Sequence, residues 1–225
     1  LVEIITNECN CPQLVARALI RRGVTSAVEA KRFLNPDESD LLDPFLLPDM
    51  QTAADRVQHA IDEGEHICVF GDYDADGVCS TAMLVQRLQK MGANVEYYIP
   101  HRHSEGYGMS ADAVRLLHKR GVKLIITVDN GVSAYDEIAL CAALGIDVVV
   151  TDHHSVGKTI PECVAVVAAS RKDASYPNRY LCGAGVALKL IQALNGGSYT
   201  PEELALAAVA TIADVVPLTG ENRVI

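Results

Sequence analysis

Apolar residues change rhythm near residue 66. Before that point they recur at helical spacing: residues 12–22 and 26–34 read as helices with Gly23 a stop, and residues 52–63 read as a helix capped by Thr52. Asn35-Pro36-Asp37 breaks the pattern, and Pro44 and Pro48 frame a loop. Beyond residue 66, short apolar runs alternate with helical stretches. Strands are predicted at 67–70, 95–99, 124–128, 148–150 and 164–168. Helices are predicted at 77–91, 110–120, 134–144, 184–193 and 202–215.

Strands that are apolar throughout and separated by helices imply burial on both faces. The expected fold is therefore α/β: a doubly wound, mainly parallel sheet with helices on both faces. A helical N-terminal segment, residues 1–65, precedes a sheet domain spanning residues 66–225. In such sheets ligands bind beyond the carboxyl ends of the strands. Three predicted strands end there in acidic clusters: Asp72-Tyr73-Asp74-Ala75-Asp76-Gly77, Asp129-Asn130-Gly131 and Asp152-His153-His154.

Carboxylates repel one another and resist burial, so three clusters converging on one edge call for a cation between them. Hard divalent ions take oxygen ligands, and imidazole extends the choice to manganese, iron and zinc. The first cluster is not an EF-hand, because its twelfth position is Met83 rather than glutamate. Nor is it a phosphate loop, since no Gly-Lys-Ser/Thr follows. Asp129-Asn130-Gly131 is also a good turn sequence, and only its place at a strand end raises its interest. The adjacent histidines offer one imidazole to a metal and one to substrate. Asp214 lies in an almost wholly apolar stretch, residues 204–216. It either faces water at a helix end or has a partner, and a metal would serve.

Arg102, in the loop 101–108, can bind a phosphate bidentately, or that loop is simply polar and flexible. Arg171, Lys172 and Arg179 read as solvated surface or a phosphate contact. Gly183 and Gly185 open a helix; they allow either backbone N–H groups to approach a phosphate or close helix packing.

Composition adds limits. The 225 residues are 49% hydrophobic, enough for a sizeable core, and no apolar run approaches the roughly 20 residues of a membrane helix. The net charge of −10 argues against strong general nucleic-acid binding, although bound cations would offset much of the clustered acid. Seven scattered cysteines read as reduced, mostly buried thiols; Cys9-Asn10-Cys11 lacks the second half of a zinc site.

Together these residues resemble the DHH phosphoesterase superfamily, through Asp152-His153-His154, and within it the bacterial single-strand-specific exonucleases. The segments that carry the closer likeness are Leu42-Asp43-Pro44-Phe45, Gly71 to Gly77, Glu105-Gly106-Tyr107-Gly108, Thr127 to Gly131, Gly183-Ala184-Gly185-Val186-Ala187 and Thr211 to Arg223. The resemblance implies two metal ions, manganese with magnesium as the alternative. Asp129 would bridge them, Asp74 would hold one, and Asp76, His153 and Asp214 the other. Asp72 would be a nearby ligand or a group supporting the ligands from behind, and His154 would contact the scissile phosphate. It makes Asp129, His153 and His154 the expected catalytic set, with Arg102, His154, Gly183 and Gly185 on the substrate side.

The implied reaction is 5′→3′ hydrolysis of single-stranded DNA to 5′-mononucleotides in repair and recombination. It implies a cytoplasmic monomer without a membrane, working beside single-strand-binding protein and a helicase. The alternatives are a phosphodiesterase of short oligonucleotides or cyclic dinucleotides, and an inactive scaffold. Two departures from the family pattern stand out. Ala168-Ala169-Ser170 occupies a place where relatives often carry Asn-Pro, and the family's second domain and OB-fold lie outside these residues.

Overall fold

The computed structural model describes residues 1–102 and 105–225; His103 and Ser104, in the loop that carries Arg102, lie outside the described residues. It divides into two compact units, Leu1–Leu41 with Leu218–Val224, and Leu42–Pro217 with Ile225. The division falls at residue 41 rather than at the change of rhythm near residue 66. Periodicity marks where the strands begin, whereas packing decides what belongs with them.

The smaller unit contains α1 (Val2–Cys9), α2 (Gln13–Arg21), α3 (Ala27–Leu34) and a short helix, Glu221–Val224. Its core is Ile5, Ala16, Leu19, Ala27 and Ala30. The Ser26 hydroxyl accepts the Glu29 N–H at 3.2 Å and so caps α3. Arg223 donates to the Phe33 carbonyl at 3.0 Å and lies over the Phe33 ring.

In the larger unit, α4 (Met50–Asp62) leads into β1 (His66–Phe70), α5 (Ala75–Lys90), β2 (Asn94–Tyr98), α6 (Ala111–Lys119) and β3 (Leu124–Val128). Then come α7 (Tyr135–Ala143), β4 (Asp147–Thr151), β5 (Ala165–Val167), α8 (Gly183–Leu194) and α9 (Pro201–Ala213). The five strands form one sheet, parallel throughout, in the order β2-β1-β3-β4-β5. The expected doubly wound α/β sheet is thus the observed one.

Alternation along the strands explains their apolar runs. Ile67, Val69, Ile126 and Val149 pack on one face with Met83, Leu84 and Leu88 of α5 and Leu188 and Ile191 of α8. Cys68, Phe70, Ile125 and Val150 pack on the other with Val114 and Leu117 of α6 and Ile138 of α7. All seven cysteines are free thiols. Among the described residues, no helix is long and apolar enough to cross a membrane.

Two local expectations are corrected. The helix expected to start at Thr52 starts at Met50, and Asp49 before it gives no side-chain cap but makes a tertiary contact: its Oδ2 accepts the Val166 N–H at 3.1 Å and Arg171 Nη1 at 2.5 Å. Arg171 is accordingly buried, and it also holds Asp173 and the Val166 carbonyl. It is therefore neither solvated surface nor open to a phosphate.

α5 and α9 are joined by a bidentate ion pair: Arg87 donates to Glu203 at 2.9 and 2.7 Å. Glu203 also closes a capping box by accepting the Thr200 N–H at 2.7 Å. Both partners are buried, so leaving one unpaired strands a charge. Glu203→Leu alone is expected to destabilise by about 3–5 kcal/mol, while the double change Arg87→Met, Glu203→Leu costs clearly less. Urea denaturation of the three proteins measures the difference, and equal losses would contradict it.

Candidate metal centre

Strand order reverses beside β1: β2 lies on one side and β3 on the other. Crevices at the carboxyl edge of such a switch point are where doubly wound sheets bind ligands. The segments leaving Phe70, Val128 and Thr151 meet there. Asp129 is buried and left-handed, with φ of 62°. Aspartate tolerates this conformation better than most residues, yet it costs on the order of 1–3 kcal/mol. Neighbours hold it: Asn130 Nδ2 donates to the Val128 and Phe70 carbonyls at 2.9 and 3.2 Å, and Thr127 Oγ1 donates to the Asn130 carbonyl at 2.8 Å. The turn character of Asp129-Asn130-Gly131 is real, and it serves to aim the Asp129 side chain.

Six side chains fall into two groups. Asp72, Asp74 and Asp129 each offer an oxygen within 4.8 Å of the others, and so do Asp76, His153 and Asp214 with their ligand atoms. His153 links the groups: its Nε2 is 3.1 Å from Asp129 and 3.8 Å from Asp76, and its Nδ1 is 3.8 Å from Asp214. A third set joins Asp129 to both histidines. Asp72 Oδ1 is buried without a hydrogen bond, and Asp129 Oδ1, also buried, has only His153 Nε2 beside it at 3.1 Å. Orphaned carboxylate oxygens in an otherwise satisfied interior are what divalent ions would complete, so the donor set fits them.

The electrostatics agree. Burial pushes the carboxyls of Asp72 and Asp76 above their ordinary range, and that of Asp129 up to about 7. Asp76 is partly relieved by the N-terminus of α8, whose Gly183 and Ala184 N–H groups each donate to it at 2.6 Å. Asp74 caps α5 by accepting the Gly77 N–H at 2.9 Å.

Asp152 is fully buried and is not itself in any of these groups. Its Oδ2 accepts the Val132 N–H, and its Oδ1 accepts the His153 and His154 N–H groups and pairs with His154 Nδ1 at 2.8 Å. Burial works to raise Asp152, but the His154 bond and the backbone donors win and hold it below its usual range. The Asp152 hydrogen bond in turn raises His154 to about 9. Burial disfavours charge on His153, but the adjacent Asp129 raises it on balance. Ser170 donates to the His154 carbonyl at 2.6 Å, so the residue standing in the Asn-Pro position braces the histidine turn. Tyr107 lies between this turn and the β3 exit: its hydroxyl donates to the Asp129 carbonyl at 3.2 Å and lies 3.3 Å from His154 Nδ1.

The structure therefore gathers Asp72, Asp74, Asp76, Asp129, His153, His154 and Asp214. Arg102 stands at the rim, over the Tyr73 ring, where its charge acts on Asp72. The Gly183 N–H is engaged by Asp76 and the Gly185 N–H by Cys182 Sγ, so the α8 N-terminus meets a carboxylate rather than lying open to a phosphate. Gly183 is needed for close approach: a Cβ there would stand 2.6 Å from the Asp129 Cβ. Sequence reasoning missed the bracing roles of Asp152 and Tyr107. Both were visible inside their motifs, Tyr107 within Glu105-Gly106-Tyr107-Gly108, but the order of residues does not say which distant groups either one touches.

Residues 66–213 match the DHH family, N-terminal domain. The chain belongs to the DHH family. It is 45% identical over 225 residues to the Single-stranded-DNA-specific exonuclease RecJ of Bacillus subtilis (strain 168), covering all of this chain and 28% of that protein. A crystal structure of RecJ in complex with Mn2+ from Thermus thermophilus superposes with a TM-score of 0.81 at 34% identity, over 99% of this chain and 32% of that one. A crystal structure of exonuclease RecJ bound to manganese gives 0.74 at 41% identity, over 81% and 47%. The chain thus spans less than a third of the B. subtilis relative.

The Asp152–His154 pair predicts a titration. With His154 raised from 6.5 to about 9, the pair contributes stability in full below about pH 6.5, and that contribution is lost as pH rises through about 9. Histidine NMR of the metal-free protein should show one imidazole titrating near 9, which falls toward 6.5 in Asp152→Asn. An unshifted histidine in both proteins would refute the pairing.

Proposed function

We propose that this chain is the catalytic portion of a divalent-metal-dependent 5′→3′ exonuclease that hydrolyses single-stranded DNA to 5′-mononucleotides in repair and recombination. The observation that carries the reading is the pair of oxygen- and imidazole-bearing groups adjoining at Asp129 and His153, with a buried Asp72 oxygen that has no hydrogen bond. The identity to single-stranded-DNA-specific exonucleases supports the polymer and its strandedness. Manganese is the expected ion, as in the solved relatives, and magnesium suits the carboxylates equally.

Two ions, when bound, supply activation of water and neutralisation of charge for in-line displacement at phosphorus. The protein's part is to place the groups. Asp72, Asp74 and Asp129 would hold one ion, and Asp76, His153 and Asp214 the other, with Asp129 shared. His154, turned by Asp152 and half exposed beside Asp129, would contact the scissile phosphate. Arg102 would take a phosphate of the strand in the bidentate manner of a guanidinium. Gly183 would act on substrate only indirectly, by admitting Asp129 to its place. Such work would set the protein beside single-strand-binding protein and a helicase in the cytoplasm.

Asp129→Ala should abolish hydrolysis of a labelled single strand under saturating manganese, with the fold retained by circular dichroism. Wild-type turnover in that variant would contradict the shared-ligand role. Single strands labelled at either end test polarity: early release of labelled mononucleotide from the 5′ end is expected, whereas cleavage of dinucleotides alone would assign the site to short substrates. Binding also depends on pH. Asp129 titrates near 7 and His153 is raised, so ions must displace protons at neutral pH and below. Calorimetry should find manganese bound more weakly at pH 6 than at pH 8, on the order of ten-fold, with protons released on binding.

A further inference from the structure

We infer that Tyr107 is a positioning residue for His154, tying that imidazole to the backbone of Asp129. The inference rests on the reading of His154 as the phosphate contact. Tyr107 belongs to the segment after β2 and is remote in sequence from both residues it touches. Its hydroxyl donates to the Asp129 carbonyl at 3.2 Å. The same oxygen is nearly equidistant from the two ring nitrogens of His154, at 3.3 and 3.4 Å, and the rings meet edge-on with centroids 5.8 Å apart. Because the phenolic hydrogen is committed to the carbonyl, the lone pairs of that oxygen face the imidazole.

Asp152 grips the His154 ring at Nδ1 and the backbone N–H of the same residue, both from inside the turn. These bonds turn the ring but bear on it from one side only. Tyr107 bears on the ring from outside, and with the carboxylate it defines where Nε2 points. The anchor on the other side is Asp129, whose left-handed backbone is already over-determined by Asn130 and Thr127. Tyr107 thus refers the histidine to a turn held by three side-chain hydrogen bonds. About half of its surface stays exposed, so it contributes little to the core and its removal should leave folding intact.

The test compares the 225-residue chain with its Tyr107→Phe variant, which keeps the ring and deletes only the hydroxyl. Three quantities are measured: steady-state hydrolysis of a 5′-phosphorylated single-stranded oligonucleotide with manganese, manganese affinity by calorimetry, and the His154 ring-nitrogen NMR shifts without metal. We expect kcat to fall about ten-fold while KM and manganese affinity stay within about two-fold, and the His154 nitrogen signals to move. An unchanged kcat overturns the inference, as does a fall in kcat with unmoved His154 signals. A parallel loss of manganese affinity also overturns it, since Tyr107 would then be acting on the Asp129 ligand. If the wild-type chain hydrolyses no single strand, the proposed function fails. The nitrogen shifts then decide alone: movement sustains the positioning role and unmoved signals refute it.

Discussion

Like charges held out of water set the terms for this structure. Asp72, Asp76 and Asp129 are each almost fully buried at the carboxyl ends of β1 and β3; Asp72 and Asp129 lie within reach of each other and of Asp74, and Asp76 within reach of Asp214. Nothing apolar can offset that arrangement, and burial raises all three carboxyls. The centre persists because backbone dipoles and imidazole oppose the repulsion. The α8 N-terminus points two N–H groups at Asp76, and His153 stands between Asp76, Asp129 and Asp214. The oxygens left without a donor are the ones a divalent ion would claim.

Much of the surrounding architecture follows from keeping those oxygens in register. A parallel sheet with order reversal at β1 brings three strand ends together without long connections crossing the site. Asn130 laces the β3 exit to the end of β1, and Asp152 gathers three backbone or ring N–H groups of its own turn and the Val132 N–H beside it. Asp152 and His153 are adjacent in sequence yet opposite in role. One is saturated with donors and fixes geometry, while the other is left with carboxylates on its ring nitrogens.

The legible part of the site was the part made of chemistry rare in ordinary turns. Three carboxylates in five residues, paired histidines and an aspartate in an apolar helix each demand an explanation in any fold. Arg171 shows the reverse case: flanked by Lys172 it reads as surface, but Asp49, a hundred and more residues earlier, turns it inward. Gly183 and Gly185 were legible as a close approach, but the approaching group, Asp129 or a phosphate, could not be named from spacing.

By itself the sequence determined the class of fold and which residues are candidate donors. Alternating apolar runs and helices fix which segments are buried on two faces, and acidic residues at strand ends can converge only where the strands end together. Tertiary structure alone decided how the donors divide between two groups, which carboxylates keep unsatisfied oxygens, and which N–H groups are already spent. Those outcomes depend on ångström distances between residues such as Tyr107 and His154, or Asp76 and Gly183, that are far apart along the chain. Periodicity carries no information about such distances, because they are set by the packing of whole helices on the sheet.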